Sequence, residues 1–423
     1  MPSDTLAADL TLVQALRPAA VDLSRLRREH GSMLQIVRLL IGVVPNCDSY
    51  LAIWPTGFRT YNLLVPNLLN LPFSVWGFGP SAVTLGLALC AASRTAQCSY
   101  CTAHTCSFTL RRGASVEKLA GVLPPAEQTA VAAAEALASI PCAFTAEHRA
   151  ELSRHFSAQD AERIALGIAL MGFLNKFMDA LAVDLEDATV EEASAALAPT
   201  GWTPGKHRVA TPALEPELRA RPGGRDTLAT KLAILRHVPG AIRLDLAWTR
   251  GVPSQWPAVG SYLKARTGHD FPLLAKMRSR RAVRAIATVL RDNLDAADSK
   301  LGLPVKALAG LVYATIAGNG TLAREARGLA LRADPEMGEA TLDAVVRFAA
   351  GPAGVELDAL PRLSREAVLA LHLAKAVSPS PATVPAPLVE RVSRALSPEA
   401  QIELVVWIAV QQMLHRLGSY LDA

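Results

Sequence analysis

Apolar residues recur at helical spacing in one segment of this chain after another. Ser32–Pro45 reads SMLQIVRLLIGVVP, a helix with Ser32 as a candidate N-cap. Tyr50–Pro72 (YLAIWPTGFRTYNLLVPNLLNLP) is apolar but broken, and predicts short helices joined by Pro turns. From Ser81 to Ser93 the pattern is apolar on every face, which predicts a buried helix. The next helix carries Cys101 to Arg112 and stops at Gly113, with Arg111 and Arg112 against its C-terminal dipole. Ser115 is placed to cap another helix, and two longer ones are predicted near Ala126–Ile140 and Ser157–Leu185. The fold class is therefore all-α.

Residues 196–225 are rich in Pro and Gly and lose the helical period, so they read as a linker. Beyond them the first pattern returns. Asp226–Pro239 (DTLATKLAILRHVP) matches Ser32–Pro45 in cap position, apolar spacing and closing Val-Pro. Leu396–Leu421 matches Phe156–Leu181, each opening on an apolar residue before a Ser cap and each carrying a late basic residue, Lys176 or Arg416. The expected organisation is two tandem helical modules: a lead-in at 1–31, a first module at 32–195, the linker at 196–225, and a second module at 226–423.

Composition narrows the classes. With 51% hydrophobic and 5% aromatic residues in 423 positions, a large Ala/Leu-rich helical core is available. The net charge of +5 is small and unclustered, which argues against a nucleic-acid footprint. Met1-Pro2-Ser3-Asp4 lacks the basic start and apolar run of a signal peptide. The uncharged stretch Thr60–Ser93 is interrupted by Pro66, Pro72, Gly77, Gly79 and Pro80, leaving a run too short to span a bilayer. A cytoplasmic protein without membrane contact is expected, and there a C-x-x-C pair points to catalysis or metal rather than a structural staple.

Chemistry concentrates in Gln97–Phe108, QCSYCTAHTCSF, which holds three of the six cysteines and one of nine histidines. Steps of three residues bring Cys98, Cys101 and His104 onto one helical stripe. A thiolate is the reactive form of such a pair; a helix N-terminus lowers a thiol pKa, and His104 can exchange a proton. Two plainer readings compete. Free cysteines are often inert core residues. Zinc would need four converging ligands, and Cys98, Cys101, His104 and Cys106 cannot converge from one continuous helix. Cys106 lies off the stripe, while Cys47, Cys90 and Cys142 sit singly in apolar settings. His148 and His155 share a polar, solvated region. The second module has no such site: no Cys follows Cys142, and the corresponding region falls near Gly318–Arg324.

These features together (VVPN before a Trp-Pro segment, the apolar helix before CSYCTAH, the Arg-Arg-Gly stop and GFLNKFMDAL) resemble the alkyl hydroperoxidase D / carboxymuconolactone decarboxylase-like family. The resemblance spans most of 32–190 and, more weakly, 226–423. It implies Cys101 as the attacking thiol, Cys98 as resolver and His104 in a proton relay. It also implies a dithiol or thioredoxin-like electron donor, a peroxide or disulfide substrate, no cofactor or metal, and a homo-oligomer. The relay of the hydroperoxidases also has a Glu about a dozen residues before the first Cys. Gly86 stands there, and no acidic residue lies between Asp48 and Glu117. The expected function is a thiol–disulfide oxidoreductase with an incomplete peroxidase relay. The alternative is a non-enzymatic helical module that binds a ligand or partner.

Overall fold

In the computed structural model, residues 10–207, 224–351 and 363–423 are described. Parts of the expected lead-in (1–9) and linker (208–223) lie outside them. Among the described residues the chain is all-α, with no strand.

The first eleven helices are α1 (Leu12–Leu16), α2 (Leu23–Ile41), α3 (Cys47–Leu51), α4 (Pro55–Leu68), α5 (Ala82–Thr95), α6 (Ser99–Arg111), α7 (Val116–Leu119), α8 (Pro125–Ala138), α9 (Ala146–His155), α10 (Ala158–Leu181) and α11 (Asp187–Ala196). After the interruption come α12 (Leu228–Trp248), α13 (Ala258–Thr267), α14 (Arg280–Asn293), α15 (Leu303–Ile316), α16 (Gly320–Ala333), α17 (Glu339–Ala350), α18 (Arg365–Val377), α19 (Ala386–Ala395) and α20 (Pro398–Asp422).

Two long helices, α10 and α20, lie along each other and form the centre. Each starts at a serine cap: Ser157 Oγ accepts from Asp160 N, and Ser397 Oγ accepts from Ala400 N. Both are buried on nearly every face, as their all-round apolar sequence requires. Among the described residues α10 is the one helix long and apolar enough to cross a membrane, and here it is a core helix. The two are in tight contact at Gly172, where an added Cβ would stand 2.9 Å from the Gln412 carbonyl oxygen. Around α10 pack α5, α6 and α8; α20 in turn packs on α15, against which α16, α17 and α18 lie. Two further pairs join the first half of the chain to the start of the second, α2 with α12 and α4 with α14.

Three local expectations need correction. The helix expected to start at Ser32 starts nine residues earlier, at Leu23, because Asp22 Oδ1 accepts from Ser24 N at 2.6 Å. It continues past Gly31 with a non-helical residue at His30 (φ −132°). Ser32 instead faces Gly240 of α12, where there is no room for a Cβ. Pro66 and Pro239 do not break the chain but lie inside α4 and α12. Ser81, by contrast, caps α5 as expected, accepting from Thr84 N at 3.0 Å.

Candidate functional site

The site is built on the turn between α5 and α6. After Thr95, Gln97 takes a left-handed conformation (φ 53°), and the Cys98 amide returns to the Ser93 carbonyl at 3.1 Å. Cys98 thereby becomes the N-cap of α6, and its sulfur accepts from the Cys101 amide at 3.4 Å. An N-cap sulfur receives the dipole and backbone N–H groups of the helix start, conditions that favour a thiolate. All six cysteines are free thiols, and Cys98, Cys101 and His104 are all buried.

Cys101 and His104 line an apolar cavity of about 90 Å³, together with Cys47, Tyr61, Tyr100 and Met171. His104 Nε2 lies 3.0 Å from Glu186 Oε2. The other Glu186 oxygen accepts from the Tyr100 hydroxyl at 2.9 Å and from the Asn46 amide at 2.6 Å. Burial alone would raise the Glu186 pKa, but the His104 charge and hydrogen bond, helped by the Asn46 amide, hold it below the usual value. Asp48 lies in the same buried region with neither oxygen hydrogen-bonded. Burial and then the Glu186 charge push its pKa up to about 8, so it is a neutral acid at pH 7. One ionised and one protonated carboxyl thus stand together beside a thiol-lined cavity.

Cys98 faces a second group. Its sulfur, an Asp179 oxygen and a His207 ring nitrogen lie within 4.8 Å of one another, all buried. Burial would raise the Cys98 pKa, but the hydrogen bond with Cys101 and then the bond and charge of His207 bring it down to about 6. Cys101 moves the opposite way: burial raises it, and the neighbouring Cys98 raises it further. Sulfur, carboxylate and imidazole are donors a divalent ion could use. The surroundings oppose a cation, however. Asp179 Oδ1 is 2.9 Å from Lys206 Nζ, and its Oδ2 accepts from the Ala382 amide at 2.5 Å. Arg416 adds further positive charge nearby.

The three residues singled out from sequence, Cys98, Cys101 and His104, share one stripe of α6 and its cap. Cys101 and His104 open on the cavity, while Cys98 sits behind it against Asp179 and His207. Gly86 could not carry the expected acid: an added Cβ would meet Thr109 Oγ1 at 2.5 Å, where α5 and α6 touch. A carboxylate does reach His104 from elsewhere in the chain, that of Glu186 in the turn after α10. Sequence reasoning missed Glu186, Asp48, Asp179 and His207; only the burial of their surroundings would have pointed to them. Of the other cysteines, Cys47 lines the thiol cavity, whereas Cys106 is core, its pKa pushed far up by burial. His148 binds the hydroxyl of Thr145 at the surface, in keeping with a solvated role.

No protein-family model and no curated protein matches this chain. Among solved structures it resembles the apo debrominase Bmp8, with 22% identity, coverage of 46% of this chain and 98% of that chain, and a TM-score of 0.37. A cysteine-to-alanine variant of that debrominase in complex with 2,3,4-tribromopyrrole gives 20% identity, 46% and 97% coverage, and a TM-score of 0.36. A whole Bmp8 chain thus corresponds to less than half of this one.

Proposed function

We propose that the protein is a thiol–disulfide oxidoreductase of the hydroperoxidase D type, in which Cys98 and Cys101 cycle between dithiol and disulfide. The observation that carries this reading is the His104–Glu186 pair beside Cys101, which supplies the acid absent at Gly86. Of the C-x-x-C pair, Cys101 is the thiol on the cavity wall, and so the one that meets substrate. His104 takes the proton of the Cys101 thiol as its sulfur attacks one oxygen of a peroxide; the O–O bond breaks, and the alkoxide leaves with that proton returned from His104. Cys98 then attacks the Cys101 sulfenic acid, forming the S–S bond and releasing water. With a disulfide substrate, the Cys101 thiolate displaces one sulfur and Cys98 resolves the mixed disulfide. A dithiol donor restores the pair. No metal or organic cofactor enters these steps.

The second half is read as a copy that has lost the chemistry. Supporting this are helices of matching order and length, α5 with α15, α9 with α19 and α10 with α20. The expected self-association is supported by one face of α12, where Leu228, Leu232 and Leu246 are more than half exposed. A specific observation favours the binding-protein alternative: a larger apolar cavity of about 450 Å³ between α2, α4 and α12, walled by Ile36, Val65 and Ile242.

The test is turnover of a peroxide and of a small disulfide by the full chain with a dithiol as reductant, alongside peptide mapping of the oxidised protein. A Cys98–Cys101 crosslink with turnover is expected. Complete alkylation of both thiols after peroxide or diamide treatment overturns the reading and leaves the binding alternative.

A further inference from the structure

We propose that His207, oriented by Asp179, is a positioning residue that takes the proton of Cys98 and keeps this thiol ionised beside Cys101. The proposal rests on the redox reading above and assigns the ionisation to a residue far from the C-x-x-C motif.

Geometry carries it. His207 belongs to a short 3-10 turn, Gly205–His207, which follows the packing of Trp202 Nε1 on the Ser99 carbonyl at 3.3 Å. The turn is fixed on both sides: the His207 carbonyl accepts from Leu185 N at 2.9 Å, and ring Nδ1 donates to the Val183 carbonyl at 2.8 Å. A carbonyl only accepts, so Nδ1 bears the hydrogen and Nε2 presents a lone pair. That Nε2 is buried and lies 3.7 Å from Asp179 Oδ1. Cys98 Sγ is in the same cluster. A base in the correct tautomer therefore stands between a thiol and a carboxylate, and the ring it would become lies between two negative groups.

The other charged or titratable groups near this pair are Lys176 on α10, Lys206 on the same turn, Arg416 on α20, and Cys101 and Tyr100 on α6. Lys176, its pKa brought down to about 7 by burial, directs its amine at the Ser378 and Pro379 carbonyls. Lys206 and Arg416 favour a thiolate as well, but neither can accept its proton while charged. His207 can. Burial works against its charge, yet Asp179 and then Cys98 raise its pKa to about 9, the counterpart of the fall at Cys98.

The proton balance is closed. Ionisation moves a proton from Cys98 Sγ to His207 Nε2. When the Cys98 thiolate attacks the Cys101 sulfenic acid, the S–S bond forms and the S–O bond breaks. The departing hydroxide takes the proton held on His207 and leaves as water. During reduction, the proton shed by the donor thiol returns to His207 as the donor sulfur attacks Cys101 and the S–S bond breaks; Cys98 leaves as a thiolate that the imidazolium stabilises, and low-pKa thiols leave faster.

The test is thiolate ultraviolet absorbance against pH in full-length Cys101→Ser, which reports Cys98, compared with Cys101→Ser/His207→Gln. The thiolate transition should rise by one pH unit or more in the double variant, and Asp179→Asn should shift it in the same direction. Because His207→Gln can disturb folding, the second measurement leaves His207 intact: its imidazole is titrated by NMR in the wild type and in Cys98→Ser. Loss of the thiolate should lower the His207 pKa by at least one unit. An unshifted Cys98 transition, or a His207 titration indifferent to Cys98→Ser, overturns the proposal. Ionised Cys98 in a protein that forms no disulfide sinks the redox reading alone; turnover with an ordinary Cys98 thiol sinks this proposal alone.

Discussion

The turn that carries Cys98 has a backbone counterpart later in this molecule, and only the first carries thiols. In the first, Ala96 N returns to Ala92 O, Gln97 is left-handed, and Cys98 N returns to Ser93 O. In the second, Ala317 N returns to Tyr313 O, Gly318 is left-handed, and Asn319 N returns to Ala314 O. Cys98 and Asn319 are both N-caps, Cys98 accepting from Cys101 N at 3.4 Å and Asn319 from Leu322 N at 3.0 Å. On this register Leu322 stands where Cys101 does, and the half-buried Glu325 where His104 does. The backbone device is the same; the side chains, and the groups that face them, are not. Helix-terminus geometry is therefore a scaffold, and on the proposed reading reactivity comes from Glu186, Asp179 and His207, which approach the first turn from later in the chain.

The sharpest way to break this comparison is to remove the thiols. Cys101→Ser should lower peroxide and disulfide turnover by on the order of a thousandfold or more, whereas Leu322→Ser should leave it within about threefold. Steady-state assays on the two variants decide whether the halves differ in function as they do in side chains.

The next effect is smaller. Glu186→Gln keeps the shape but removes the charge facing His104, and should cost peroxide reduction about a hundredfold. Small-disulfide exchange, which needs mainly a thiolate and access, should fall less. Stopped-flow rates with both oxidants test this, and equal losses would count against a relay specific to peroxide.

Asp48 gives a pH-dependent difference. Its folded pKa of about 8 lies above the 3.8 of an ordinary aspartate, so between those values the native state holds a proton that the unfolded chain has lost. Stability from this group is present below pH 4 and falls as pH rises to about 8, by at most about 1.4 kcal/mol per unit. Asp48→Asn should gain on the wild type across that window. Urea midpoints at pH 5 and pH 8 measure it; a constant difference would contradict the assignment.

Smallest is the cap in the silent turn. Asn319→Ala should destabilise the protein by about 1 kcal/mol without changing turnover. Thermal or urea unfolding combined with an activity assay checks both halves of that statement.

How far the sequence could be read depends on the distance over which each feature is determined. Cys98, Cys101 and His104 were legible because a three-residue step fixes their common face. The helices around them were legible from apolar period and from caps such as Ser81 and Ser157. Glu186 was not, since nothing local ties it to His104, 82 residues earlier. His207 lay in a stretch whose Pro and Gly content reads as a linker, yet its backbone and ring are both hydrogen-bonded to the turn after α10. Ser32 misled because its sequence suits a cap, while Asp22 supplies the actual one. Pro66 and Pro239 misled because flanking packing holds α4 and α12 together through a residue that would end an isolated helix.

The contact at Gly172 restricts how such a chain can change over generations. A thiol in the second half can be replaced by Asn or Leu at little structural cost, since the turn needs only a capping acceptor. A side chain at 172 would push against the main chain of α20, and no replacement on the opposing helix removes a carbonyl. Drift should therefore be free at the second turn and confined at the α10–α20 seam, so that the half without thiols persists as the surface against which the thiol-bearing half is held.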